Sequence, residues 1–112
     1  MQFYRELEKV TPHENRDFVT HALNDEMTHV KMFRRLFSRL SGKDIYVHAD
    51  KTNFSSYKNG FEIAFRRELE AAELYRDMYL STKIPKVRDV LFKAMTDEME
   101  HAQRFSFLYF SS

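Results

Sequence analysis

Five residues of this chain carry coordination chemistry at helical spacing. Glu26 and His29 stand three apart, Glu98 and His101 stand three apart, and a third carboxylate, Glu68, lies between the two pairs in sequence. On a helix, side chains at i and i+3 leave from one face, so each Glu-x-x-His can grip one centre. Carboxylate oxygen with imidazole nitrogen suits iron, manganese or zinc. All five positions fall where an apolar residue belongs. One stripe reads Val19, Ala22, Glu26, His29, Phe33, Leu36/Phe37, Leu40; a second reads Val87, Leu91, Ala94, Glu98, His101, Phe105, Leu108. A third reads Phe61, Ala64/Phe65, Glu68, Ala71/Ala72, Tyr75, Met78/Tyr79. Helically spaced stripes of this kind face a core. An unpaired buried carboxylate is costly there, and three near one another repel. Either the carboxylates are protonated or a multivalent cation sits among them, and the histidines favour the cation.

A single Glu-x-x-His is a weak motif, but this one is duplicated. "RDFVTHALNDEMTHVKMF" (16–33) lies over "RDVLFKAMTDEMEHAQRF" (88–105) at a shift of 72. Upstream, "FYREL" (3–7) lies over "LYRDM" (74–78) at a shift of 71. The chain therefore reads as two copies of a helical hairpin, 1–41 and 59–112, in one domain spanning 1–112. The spacing predicts a short first helix over 1–10, a second over 13–41 ending before Gly42, a third over 59–82, and a fourth from Pro85 to about 110. Residues 42–58 read as a connection. Its roughly 17 extended residues reach on the order of 55 Å, more than the ~37 Å of a 25-residue helix. A long crossover joining two hairpins in an all-α four-helix bundle is the expected fold. The alternative is an up-down bundle with a loose loop. In the second hairpin Glu68 precedes Pro85 by 17 residues and Glu98 follows it by 13. They stand about 25 Å and 20 Å from the turn, within about one helical turn of each other.

Composition narrows the chemistry further. With no cysteine, disulfides, thiolate catalysis, iron–sulfur clusters and Cys-based zinc sites are excluded. That also fits a reducing cytosol, so a cytoplasmic location is expected. The net charge of +1 points to neither nucleic acid nor a membrane surface. No apolar run approaches the length of a membrane span. His13, His21 and His48 lie off the stripes and read as ordinary histidines.

The motifs "DEMTH" (25–29), "DEMEH" (97–101) and "ELEAAELY" (68–75) resemble the ferritin-like superfamily of di-iron carboxylate proteins, closest in pattern to bacterioferritin and rubrerythrin-type domains. The resemblance covers nearly the whole chain. It implies a ferritin-like bundle with a two-iron site, in which Glu26 and Glu98 bridge, His29 and His101 each ligate one metal, and Glu68 is a terminal ligand. It also implies that Asp25 orients His101 and Asp97 orients His29, against the alternative that both aspartates face solvent. It suggests a bond from Tyr4 to Glu68, with Tyr75 as the repeat partner of Tyr4; core packing is the competing account of both tyrosines.

The family pattern has a sixth ligand, a first-helix Glu seven residues before Tyr4, which falls ahead of Met1. The expectation is that upstream residues or a neighbouring subunit supply it, or that the site has five ligands. By resemblance, the expected activity is oxidation of Fe(II) by O2 or peroxide, with manganese or zinc as alternative metals. A rubrerythrin-like peroxide reductase served by a separate electron-donor protein is the second reading. A structural bundle with a degenerate site is the third. The aromatic tail "FSFLYFSS" (105–112) suggests self-association into a homo-oligomer, in the simplest case a dimer.

Overall fold

The computed structural model describes residues 2–42 and 52–112. Four α-helices make it up: α1 Gln2–Val10, α2 Arg16–Ser41, α3 Tyr57–Ser81 and α4 Pro85–Ser111. No strand occurs among the described residues. The greater part of the connection, 43–51 with His48, lies outside them, as does Met1.

Local chemistry sets the helix ends. α1 closes at Thr11, whose N–H and hydroxyl both donate to the Leu7 carbonyl, at 3.0 and 2.6 Å. Arg16 Nη2 then donates to the Thr11 carbonyl at 3.2 Å and ties the turn. α2 starts three residues later than expected because His13–Asn15 form a single 3-10 turn after the extended Pro12. It stops at Gly42, a left-handed position (φ 71°), whose N–H donates to the Ser38 carbonyl. α3 begins earlier than expected, at Tyr57, because Ser56 Oγ accepts the Asn59 N–H at 3.1 Å. Pro85 opens α4 at a position where its missing N–H costs nothing.

The core lies where α1 crosses the other helices. Phe3, Leu7, Val19, Phe61, Phe105 and Leu108 are fully buried there. Gly60 admits the close approach of α1, since a Cβ at that position would meet Leu7 Cδ1 at 2.5 Å. Tyr4 reaches Glu68 while Leu7 packs on Gly60, so α1 runs antiparallel to α3. α2 and α4 are likewise antiparallel, with residue 25 against 101 and residue 29 against 97.

The expected stripe of α2 is only half covered. Val19 and Ala22 are buried, but Phe37 and Leu40 are exposed. The nine residues of α1 reach about 13 Å along the bundle, while the 26 residues of α2 extend about 39 Å. The far end of that stripe is correspondingly more open, with Phe37 42% and Leu40 61% exposed. Among the described residues, no helix is long and apolar enough to cross a membrane.

Candidate metal centre

Three helices bring the predicted ligands together at one level. α2 supplies Glu26 and His29, α3 supplies Glu68, and α4 supplies Glu98 and His101. An alanine stands one turn before each carboxylate: Ala22 before Glu26, Ala64 before Glu68 and Ala94 before Glu98. All three alanines are buried, and their small side chains leave room between the helices for the longer carboxylates. One ligand atom each from Glu26, Glu68, Glu98 and His101 lies within 4.8 Å of all the others. His29 joins through Glu98, its Nδ1 standing 3.1 Å from Glu98 Oε1 and 3.9 Å from Glu26 Oε2. His101 Nδ1 stands 3.3 Å from Glu68 Oε2, 3.7 Å from Glu98 Oε1 and 3.8 Å from Glu26 Oε1.

The outer nitrogens are engaged elsewhere. His29 Nε2 is 2.8 Å from Asp97 Oδ2, and His101 Nε2 is 2.7 Å from Asp25 Oδ2. Each aspartate is thus paired with the histidine of the other hairpin. A carboxylate accepts, so each Nε2 carries a proton, and Nδ1 is the nitrogen that each ring turns toward the inner carboxylates. Tyr4 donates its hydroxyl to Glu68 from α1. Tyr75 stacks on Phe33, ring centroids 5.4 Å apart, and makes no hydrogen bond to a ligand carboxylate among the described residues.

Two residues that the sequence reading passed over complete the surround. His21 Nε2 lies 3.1 Å from Asp25 Oδ2, and Lys93 Nζ lies 2.7 Å from Asp97 Oδ2. They occupy equivalent places in the repeat, each four residues before its aspartate. The signal was present as a basic residue at i−4 in both copies.

Electrostatics make the inner cluster unusual. His29, Glu68, Glu98 and His101 are each exposed by 2% or less, whereas the Glu26 side chain is 21% exposed. Burial, and then Glu68 and Glu26, push the Glu98 carboxyl far above the carboxylate range. Burial also raises Glu26, and the charge of Glu68 adds to it, against a hydrogen bond to Glu98. Burial alone would raise Glu68, but His101, Glu98 and Tyr4 hold it lowered. Burial would lower His101, yet Glu68 and Asp25 lift it to about 9. Burial and the charge of Glu68 raise the Tyr4 hydroxyl well above its usual range. Without a metal, the cluster must therefore hold protons that its ligand atoms would otherwise give up.

Three buried atoms in the cluster have no hydrogen-bond partner: His29 Nδ1, Glu26 Oε1 and Glu98 Oε1. The 3.1 Å between His29 Nδ1 and Glu98 Oε1 is short enough for an ion pair but lacks hydrogen-bond alignment. Orphaned buried atoms of this kind are expensive, and all three belong to atom types that ligate cations. The donor set, carboxylate oxygens and two imidazole nitrogens, is one that suits iron, manganese or zinc.

Among known proteins, the chain is similar to the uncharacterized protein YhjR of Bacillus subtilis (strain 168). The two are 28% identical over 106 residues, which make up 94% of this chain and 73% of that protein. No family model matches the chain, and no solved structure matches it.

Proposed function

We propose that the chain is a ferritin-like carboxylate protein that binds iron between its helices and oxidises Fe(II) with O2 or peroxide. The observation that carries this reading is the close cluster of Glu26, Glu68, Glu98 and His101, in which Glu26 Oε1 and Glu98 Oε1 are buried without a hydrogen-bond partner and stand 3.8 and 3.7 Å from His101 Nδ1. The direction of the helices adds support. α2 and α3 both run antiparallel to α4, so they run the same way, as a long crossover between hairpins requires.

Glu26, Glu68 and Glu98 would hold the metal through carboxylate oxygens, and His29 and His101 through Nδ1. Bound iron supplies the Fe(II)/Fe(III) couple for reducing the oxidant. The protein's own contribution is to hold these groups before the metal arrives. Asp25 and Asp97 fix the imidazole tautomers, and Tyr4 fixes one Glu68 oxygen. Binding displaces protons from the Glu98 carboxyl and His101 Nδ1, so affinity rises with pH. His29, Glu68, Glu98 and His101 are exposed by 2% or less, so bulk water meets the ligand set chiefly at Glu26.

The experiment is metal analysis with an Fe(II) oxidation assay on the wild type, Glu98→Ala and His101→Ala. Bound iron and oxidation in the wild type alone are expected. A wild type with no iron, and no oxidation above the two variants, sinks the proposal. Steady-state peroxide turnover with an added reductant separates a peroxide reductase from a ferroxidase.

A further inference from the structure

The outer face of the α3–α4 hairpin is apolar and uncovered. Leu69 (41% exposed) and Met99 (48%) line a groove with Phe65, Ala102, Gln103 and Ser106. Through Phe65 and Ser106 it runs on to Phe110, which is 81% exposed. A continuous apolar strip of this kind marks a contact surface. What it contacts is written in the charges that flank it. The α3 stripe through Leu69 reads Glu62, Arg66, Leu69, Glu73, Arg76 at spacings of three and four.

That order is self-complementary about Leu69. Glu62 and Arg76 each lie seven residues from it; Arg66 lies three before and Glu73 four after. A twofold axis lying in the face and crossing the helix at Leu69 sets α3 antiparallel on its own copy. Leu69 then meets Leu69, Glu62 of one copy faces Arg76 of the other, and Arg66 faces Glu73. The same axis lays α4 on α4 near Met99, since Glu68 and His101 place residues 69 and 99 at about the same height. A parallel pairing would instead set Glu62 on Glu62. The monomer does not need this order: Glu62 meets Arg66 within the helix at 3.2 Å, Arg76 meets its neighbour Asp77 at 3.1 Å, and both pairs are largely solvated. An apolar centre with complementary charges at its rim is the anatomy of an isologous interface.

We propose that the outer α3–α4 face binds a second copy of this chain, forming a twofold dimer centred on Leu69. Sedimentation equilibrium on the full chain tests it, with circular dichroism confirming that each variant folds. The wild type is expected to dimerise and Leu69→Asp to be monomeric. Glu62→Arg and Arg76→Glu each create two like-charged contacts and are expected to weaken the dimer roughly tenfold. The double variant Glu62→Arg/Arg76→Glu restores opposite charges and is expected to return to within about threefold of the wild type. A monomeric wild type overturns the proposal. So does a dimer indifferent to Leu69→Asp, or single charge variants whose loss the double variant does not recover.

Discussion

The two hairpins carry the same frame, Asp-Glu-Met-x-His, in α2 and in α4, yet they leave their histidines in different surroundings. In the second hairpin, His101 Nδ1 hydrogen-bonds Glu68, which Tyr4 holds in turn. In the first, His29 Nδ1 has no hydrogen-bond partner, and the neighbouring Glu26 is the most open of the carboxylates. Identical motifs therefore do not make identical half-sites. The difference lies in what packs over each: α3 backs the His101 half along its whole length, whereas α1 reaches only the near end of α2.

The largest test of this contrast is mechanical. Leu7, fully buried where α1 meets Gly60, is expected to cost about 2–5 kcal/mol when changed to Ala. The same change at Leu40, 61% exposed near the end of α2, is expected to cost under about 1 kcal/mol. Urea unfolding of both variants measures it. Equal losses would mean that α2 is covered along its length and would break the comparison.

The metal reports the same asymmetry. Iron at roughly a hundred times its dissociation constant should stabilise the wild type by about 2.7 kcal/mol. His101→Ala is expected to abolish most of that gain. His29→Ala is expected to keep a measurable part, because Glu68, Glu98, Glu26 and His101 remain clustered. Thermal melts with and without iron, or with a chelator, distinguish the two. A His29→Ala loss equal to that of His101→Ala would show that the halves act as one unit.

The metal-free protein should show a pH signature from the second hairpin. His101 is raised to about 9 when folded, against about 6.5 when unfolded. The folded state binds the extra proton, so this contribution is fully present below about pH 6.5 and is lost as the pH climbs through about 9. The raised Glu98 carboxyl acts in the same sense. Stability measured across that window should fall with pH in the wild type and fall less in His101→Gln. A wild-type profile flat from pH 6.5 to 9 would contradict it.

The smallest effect separates the two tyrosines of the repeat. Tyr4→Phe removes the hydroxyl that Glu68 accepts from and is expected to cost about 1–2 kcal/mol. Tyr75→Phe leaves the stacking on Phe33 in place and is expected to cost under about 0.5 kcal/mol. Equal costs would give Tyr75 a bonded partner comparable to Glu68.

Much of this was legible in advance, for reasons that differ from residue to residue. Glu26, His29, Glu68, Glu98 and His101 stood out because ionisable side chains interrupted apolar stripes, a conflict that local sequence cannot resolve by itself. The helices were legible from their period, but their first residues were not. The Ser56 cap and the 3-10 turn at His13–Asn15 moved two helix starts by two or three residues. His21 falls off its stripe and reads as an ordinary histidine, and Lys93 carries no signal within its own helix, although the repeat aligns the two. Phe37 and Leu40 misled in the opposite direction. Periodicity reports which face of a helix is apolar, not how deeply each residue of that face is buried.

The sequence by itself determined the two hairpins, the duplicated Glu-x-x-His and the matching height of Glu68, because rise per residue and side-chain direction are properties of a helix wherever it packs. Tertiary structure alone decided which half-site is enclosed, which nitrogens are left without partners and which tyrosine finds a carboxylate. Those depend on contacts between helices far apart in the chain. Burial, and with it the energy of every charge in the cluster, is set by those neighbours.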